Sequence, residues 1–276
     1  MSSRPVRLLI RSVVGAALIA GLITAILWGW QTQIYEAPGH HEEDVFVLIE
    51  AGDGHVKIRW TLKRSEIIAD VRYYDLAVFL AGDSYLPKAG EYLIPAGTSL
   101  AGAMDIIHLG KSYQRRFTVI EGMRVDDVTR SLNAVAHLNG DITDPPDEGG
   151  ILPETYFYTY GTSRQALLDR MMEKRQIELL ELWIDRADDL PVKTPQEALI
   201  LASIVELETN NSADRREVAG VFVNRLRRGM RLQSDPTVLY GVADDPSRVI
   251  RKSDLKRKTD WNTYVIKGLP KTAICN

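Results

Sequence analysis

One cysteine occurs in the 276 residues, and it is Cys275, next to the last position. A lone cysteine excludes an internal disulfide and any cysteine-based metal site. Histidine is scarce too: five residues, scattered apart from the pair His40-His41. No His-Glu-x-x-His is present, so the common helical zinc motif is excluded. The pair stands in the run His40-His-Glu-Glu-Asp44, where the groups are adjacent rather than a helical turn apart. A solvated linker accounts for that run better than a metal site. Charge of neither sign dominates: 34 Lys and Arg against 37 Asp and Glu leave a formal net charge of −3. Nothing there suggests a polyanion-binding surface, and no nucleic-acid partner is expected. Gly-rich phosphate loops, internal repeats and low-complexity segments are missing, and no cofactor or metal is expected.

Long apolar runs are confined to one place. Ser12 to Trp30 is 19 residues without a charge, enough for one helical span of a bilayer. Arg4, Arg7 and Arg11 precede it, and no Lys or Arg follows before Lys57. The positive-inside tendency then keeps residues 1–11 cytoplasmic and exports the remainder, with Trp28 and Trp30 at the far interface. A cleaved signal peptide is the alternative. The run is long for one, and Gly29-Trp30-Gln31 lacks a small-x-small cleavage site, which favours a retained anchor.

After a polar linker over 31–44, the spacing predicts a strand at Val45–Ile49 and a helix at Val71–Leu80. Between them Val56, Ile58, Trp60 and Leu62 alternate with polar residues, which by pattern alone argues a strand. Lys88 to Ile94 reads as a strand, and Leu100 to Leu109 as a helix capped by Thr98 or Ser99 and stopped by Gly110. A short strand is expected at 115–120, an amphipathic helix at 124–138 and a long helix at 164–185. Thr194-Pro-Gln-Glu197 opens the next helix with an N-cap, a proline at the first position and a capping box. Asp214 to Glu217 looks like a second capping box, for a helix ending at Gly229. The fold class is α+β, with a small mixed unit before a mostly helical one.

Two acids stand out at the end of the helix that Pro195 opens. Glu206 follows the apolar run Ala198-Leu-Ile-Leu-Ala-Ser-Ile-Val205 and shares a face with Leu199 and Ala202. Burial among apolar groups at the negative end of a helix dipole disfavours a carboxylate, a setting that suits a general acid. Glu208 shares its own face with Leu201 and Ile204, and helical geometry does not choose between the two acids. An ion pair with Arg215, Arg216 or Arg225 is the alternative for either. Downstream, a loop carries Gln233, Ser234, Asp235, Thr237 and Tyr240, and a second carries Asn262, Thr263 and Tyr264. Amides, hydroxyls and tyrosines are groups that hold a sugar. Turn chemistry alone would also explain Asp235-Pro236 and Gly268.

At these residues the chain resembles the endolytic murein transglycosylases, the YceG-like family. The likeness rests on Leu201-Ala-Ser-Ile-Val-Glu-Leu-Glu-Thr209, Val218-Ala-Gly-Val-Phe-Val-Asn-Arg-Leu226 and Gly229-Met-Arg-Leu-Gln-Ser-Asp-Pro-Thr-Val-Leu-Tyr-Gly241. Asn262-Thr-Tyr264 and Gly268-Leu-Pro270 extend it, as do Lys88-Ala-Gly-Glu-Tyr92, Glu121-Gly122 and Leu152-Pro-Glu-Thr-Tyr156. The resemblance implies a single anchor at 12–30, a LysM-like subdomain over 45–120 and a catalytic domain over 121–276. It implies a helix near Val56 to Leu62, against the alternation. It implies a periplasmic lyase at the inner membrane, in cell-wall assembly and remodelling. The substrate is peptidoglycan, cut between N-acetylmuramic acid and N-acetylglucosamine to leave a 1,6-anhydro end, with penicillin-binding proteins as partners. Glu206 maps to the catalytic acid. Glu208, Gln233, Ser234, Asp235, Thr237, Tyr240, Asn262 and Tyr264 are the expected substrate-binding residues. Two departures are visible. Leu207 stands where relatives carry a basic residue, and the family continues past the Gly-Leu-Pro motif with a strand-rich segment. A C-terminally truncated catalytic domain is therefore expected, with a non-catalytic peptidoglycan-binding or scaffolding protein as the alternative function.

Overall fold

In the computed structural model, residues 4–209, 211–242 and 248–276 are described. The chain divides into two compact units, Met1–Gln114 and Arg115–Asn276.

The first unit opens with α1 (Arg4–Trp30), which runs into a π-helical turn at Gln31–Tyr35. Leu8–Tyr35 is long and apolar enough to cross a membrane, with a mean hydropathy of 2.1. From Leu8 to Trp28 its large apolar side chains are exposed, Trp28 to 70%. The segment after it is not a free linker. Trp30 and Tyr35 pack against the core of the unit, Gly39 N–H donates to Gly97 O at 3.1 Å, and His41 is buried with Nε2 at 2.8 Å from Pro95 O. Of the run His40–Asp44, His40, Glu42, Glu43 and Asp44 are exposed, as a solvated segment would be; His41 turns inward, and Asp44 Oδ1 accepts from Ala96 N at 2.9 Å.

β1 (Val45–Ile49) and β2 (Gly90–Ile94) form an antiparallel pair, with Val47 opposite Tyr92. Around it lie α2 (His55–Arg64), α3 (Val71–Ala81) and α4 (Leu100–Leu109). The alternation at 56–62 belongs to a helix. Ile58 and Leu62, four residues apart, are buried, while Val56 and Trp60 face out. Lys63 covers the exposed Trp60 ring at 5.4 Å, which adds a reason for an aromatic to sit on the wet face. Ser99 caps α4 by accepting from Gly102 N, and Gly110 closes it in the left-handed conformation. Asp70 caps α3 in the same way, accepting from Arg72 N at 2.9 Å.

The second unit begins with β3 (Arg115–Thr118), which pairs antiparallel with β4 (Thr155–Tyr158). β3 hydrogen-bonds to β4 and not to the strands that precede it in the chain. α5 (Val125–Asn133) and α6 (Arg164–Ile184) pack on this hairpin through Val128, Leu132, Leu167, Leu168 and Met171. α7 (Pro195–Glu208) and α8 (Arg215–Arg227) form a second apolar cluster with Leu201, Ile204, Val205 and Phe222. α9 (Asp235–Val242) packs beside α7. The Ser-Asp-Pro-Thr stretch expected as a loop thus opens a helix: an acid and a proline in the first turn are compatible with helix starts as much as with turns.

Candidate active site

α7 starts as its sequence indicates. Thr194 Oγ1 accepts from Glu197 N at 3.1 Å, and Pro195 sits in the first turn. Glu197 reaches back one residue further than a capping box, to Lys193 N at 2.5 Å. The helix buries Ile200, Leu201, Ser203, Ile204 and Val205. Leu199, Ala202 and Glu206 lie on another face, and with Ser203, Glu121, Leu152, Pro153, Cys275 and Asn276 they line a cleft of about 250 Å³. The stripe that leads to Glu206 is therefore the wall of an open cleft rather than part of the core.

The far wall is the segment 273–276. Ala273, Ile274 and Cys275 are buried, and Ile274 N donates to Ser203 Oγ at 3.1 Å. Gly122 N donates to Asn276 O and Asn276 N to Met123 O, both at 2.9 Å. Gly122 needs its φ of +80° to make that approach, which a side chain would strain. Burial, with the nearby Glu206 charge adding to it, pushes the Cys275 thiol up to about 12, so the thiol stays protonated at neutral pH.

Glu206 is not left unpartnered. Its Oε1 accepts from Arg215 Nη2 at 2.9 Å, and the carboxylate side chain is 24% exposed. The same Nη2 lies 3.3 Å from Glu121 Oε2. The turn between α7 and α8 brings Arg215 there. Asn211 N donates to Thr209 Oγ1, and Ala213 N to Asn211 Oδ1, both at 3.1 Å. Asp214 accepts from Asn211 Nδ2 at 3.0 Å instead of capping α8, so the second capping box is not formed.

Glu208 looks the other way, as two residues on a helix must. It is exposed, and its Oε1 accepts from Ser234 Oγ at 2.5 Å. Asp235 accepts from the Tyr264 hydroxyl at 2.6 Å, and that hydrogen bond, with burial, pushes the Tyr264 phenol up to about 12. Glu208, Ser234, Asp235 and Tyr264 thus form one polar group beside α9. Gln233 next to it is exposed and holds a φ of +55°, its N–H donating to Thr263 O at 3.2 Å.

The other residues expected to bind sugar make hydrogen bonds within the protein. Thr237 and Asn262 are fully buried. Thr237 Oγ1 donates to Ser234 O at 2.7 Å and shares a hydrogen bond with Thr263 Oγ1 at 2.8 Å. Asn262 Nδ2 serves the carbonyls of Asp254 at 3.0 Å, Leu255 at 3.3 Å and Arg257 at 2.7 Å, while its Oδ1 accepts from Tyr264 N at 3.0 Å. Tyr240 donates to Glu148 Oε2 at 3.1 Å, with the Arg124 guanidinium 4.9 Å over its ring.

Glu148 was not visible as special in the sequence. Burial pushes its carboxyl up, against the opposing hydrogen bonds from Val125 N and Tyr240. The folded protein therefore holds this proton to higher pH than the unfolded chain does. The associated stability is present at low pH and is lost as pH rises out of the ordinary carboxylate range through the raised value. Glu148→Gln should melt progressively later than the wild type as pH goes from about 4 to about 7. A difference between the two melting temperatures that does not change with pH would contradict this.

Residues 47–276 match the model of the YceG-like family. The chain belongs to the YceG-like family. Among its relatives is the endolytic murein transglycosylase of Bacillus subtilis (strain 168), 27% identical over an alignment of 264 positions that covers 84% of this chain and 72% of that protein. The endolytic murein transglycosylase of Streptococcus pneumoniae is 37% identical over 127 residues, 44% of this chain and 22% of the relative. A crystal structure of a YceG-like protein from Listeria monocytogenes superposes with a TM-score of 0.51 at 24% identity, covering 85% of this chain and 86% of that one. That likeness supports the fold of this YceG-like chain.

Proposed function

We propose that the chain is a membrane-anchored endolytic lytic transglycosylase of peptidoglycan. The observation that carries the reading is Glu206: a carboxyl at the end of α7, lining an open cleft, in a chain whose relatives are named endolytic murein transglycosylases. In this reading Glu206 acts twice. As the acid it gives its proton to the glycosidic oxygen between N-acetylmuramic acid and N-acetylglucosamine as the C1–O bond breaks. As the resulting carboxylate it takes the proton of the muramyl C6 hydroxyl, whose oxygen bonds to C1. The product is a 1,6-anhydro end, Glu206 regains its proton, and no water is consumed. A second carboxylate, which hydrolytic glycosidases use as nucleophile or base, is not required.

Glu208, Asp235, Tyr264 and Gln233 are assigned to substrate binding, because Glu208, Gln233 and Asp235 are exposed and Tyr264 is held beside Asp235; Ser234 is buried, and its hydroxyl orients Glu208. The first unit is assigned a LysM-like, glycan-binding role. Anchoring through α1, with the N-terminus cytoplasmic and the cleft on the periplasmic side of the inner membrane, follows from the apolar span and from Arg4, Arg7 and Arg11 before it. Trp30 and Tyr35 pack on the core of the first unit, so that unit would stand directly on the bilayer. Cooperation with penicillin-binding synthases fits an enzyme that trims new strands.

Incubation of purified sacculi with the chain should release soluble muropeptides, at the same rate with and without chelator. Sacculi that bind the chain and release nothing would favour a scaffolding role. For the anchor, the chain should stay in the membrane pellet after an alkaline carbonate wash, and a chain lacking residues 1–28 should not.

A further inference from the structure

We propose that Arg215 is the positioning residue for Glu206, and that Glu121 is the second seat that keeps the guanidinium in place. The inference rests on the reading of Glu206 as the reacting acid and adds two residues to it. A single nitrogen, Arg215 Nη2, meets Glu206 Oε1 at 2.9 Å and Glu121 Oε2 at 3.3 Å. Arg215 Nε is buried and, among the described residues, meets no acceptor, so these two carboxylates orient the group. The three side chains come from separate elements: the loop before α5, the end of α7 and the first turn of α8. Their exposures grade outward, from 24% for Glu206 through 34% for Arg215 to 62% for Glu121. Both acids line the cleft, together with the buried, uncharged thiol of Cys275.

The arrangement answers a difficulty in one-acid chemistry. Glu206 must change protonation state during each turnover while its oxygens stay aimed first at the leaving oxygen and then at the C6 hydroxyl. A carboxyl alone at a helix end would turn freely about its last bond. A guanidinium hydrogen bond on one oxygen fixes that rotation and leaves the other oxygen for the proton. When Glu206 carries the proton its hold on the cation weakens, and Glu121 retains the guanidinium so that it is in place when the carboxylate re-forms.

The test is a double-mutant cycle on the full-length protein, assayed on soluble glycan strands, with thermal melts of every variant. Arg215→Gln should lower kcat about 10- to 100-fold, the scale for a misplaced catalytic group, with KM unchanged. Arg215→Lys should recover part of the loss, because a lysine supplies one donor without the planar fork. Added guanidinium ion should raise the rate of Arg215→Ala, which a merely structural role would not produce. Glu121→Gln should cost less than Arg215→Gln, and the double variant should be no slower than Arg215→Gln alone, as expected for residues acting as a unit. Wild-type kcat in Arg215→Gln would overturn the inference. So would a loss that appears only in KM, or strictly additive effects in the cycle. If instead Glu206→Gln is as active as the wild type, it is the reading of Glu206 that falls.

Discussion

Glu206→Gln should lower the rate of glycan cleavage by about 10²- to 10⁴-fold, the range for loss of a general acid and base, while leaving the fold intact. The amide matches the carboxyl in size and can still accept from Arg215 Nη2, so the ion-pair geometry at 2.9 Å needs little adjustment. What it cannot do is give a proton to the leaving oxygen and take one back. Because the same group acts in both halves of the reaction, no other residue restores a partial rate. The neighbouring acid serves as the control. Glu208 is two residues away but faces Ser234, on another side of α7. Glu208→Gln should act mainly on KM, through the polar group beside α9. Equal losses of kcat from both substitutions would contradict the assignment.

The second large effect concerns stability. Asn262→Ala should destabilise the second unit by about 3 kcal/mol, since each buried polar group left unsatisfied costs about 1–3 kcal/mol. Asn262 is fully buried, and its amide serves three main-chain carbonyls, those of Asp254, Leu255 and Arg257. Alanine removes the donor and leaves carbonyls that water cannot easily reach. Its Oδ1 also holds Tyr264 N, so the loop that presents the Tyr264 hydroxyl to Asp235 loses its tether. Urea unfolding should show a lower midpoint with an unchanged slope. If Asn262 bound sugar instead, the substitution would raise KM and leave the midpoint alone. Asn262 looks alike in sequence to residues that touch sugar, and its complete burial is what argues for a structural role.

Local chemistry made much of the fold legible. The caps at Thr194 and Ser99 and the stop at Gly110 are set by residues within one turn, and a sequence displays them. Family resemblance, not periodicity, pointed to the helix at 55–64, because Val56 and Trp60 put apolar groups on a wet face and imitate a strand. The helix at 235–242 was hidden by residues that serve turns and helix starts alike. Glu206 was legible as an acid at the end of an apolar stripe, and its partners were not. Arg215 was one of three arginines that could have met Glu206, and which one does depends on a turn tied by Thr209 and Asn211. Glu121 lies 85 positions before Glu206, and Glu148 owes its raised pKa to burial that no local pattern announces. Long-range placement of charged groups is set by packing, and a single sequence carries little trace of it.

The most direct test of the account is the mass of the ends that the full chain creates on defined glycan strands. Attack by the substrate's own C6 hydroxyl predicts muramyl ends that are one water lighter than hydrolysis products and that borohydride does not reduce, formed by the wild type and not by Glu206→Gln. Reducing ends that take up labelled oxygen from the solvent would contradict it.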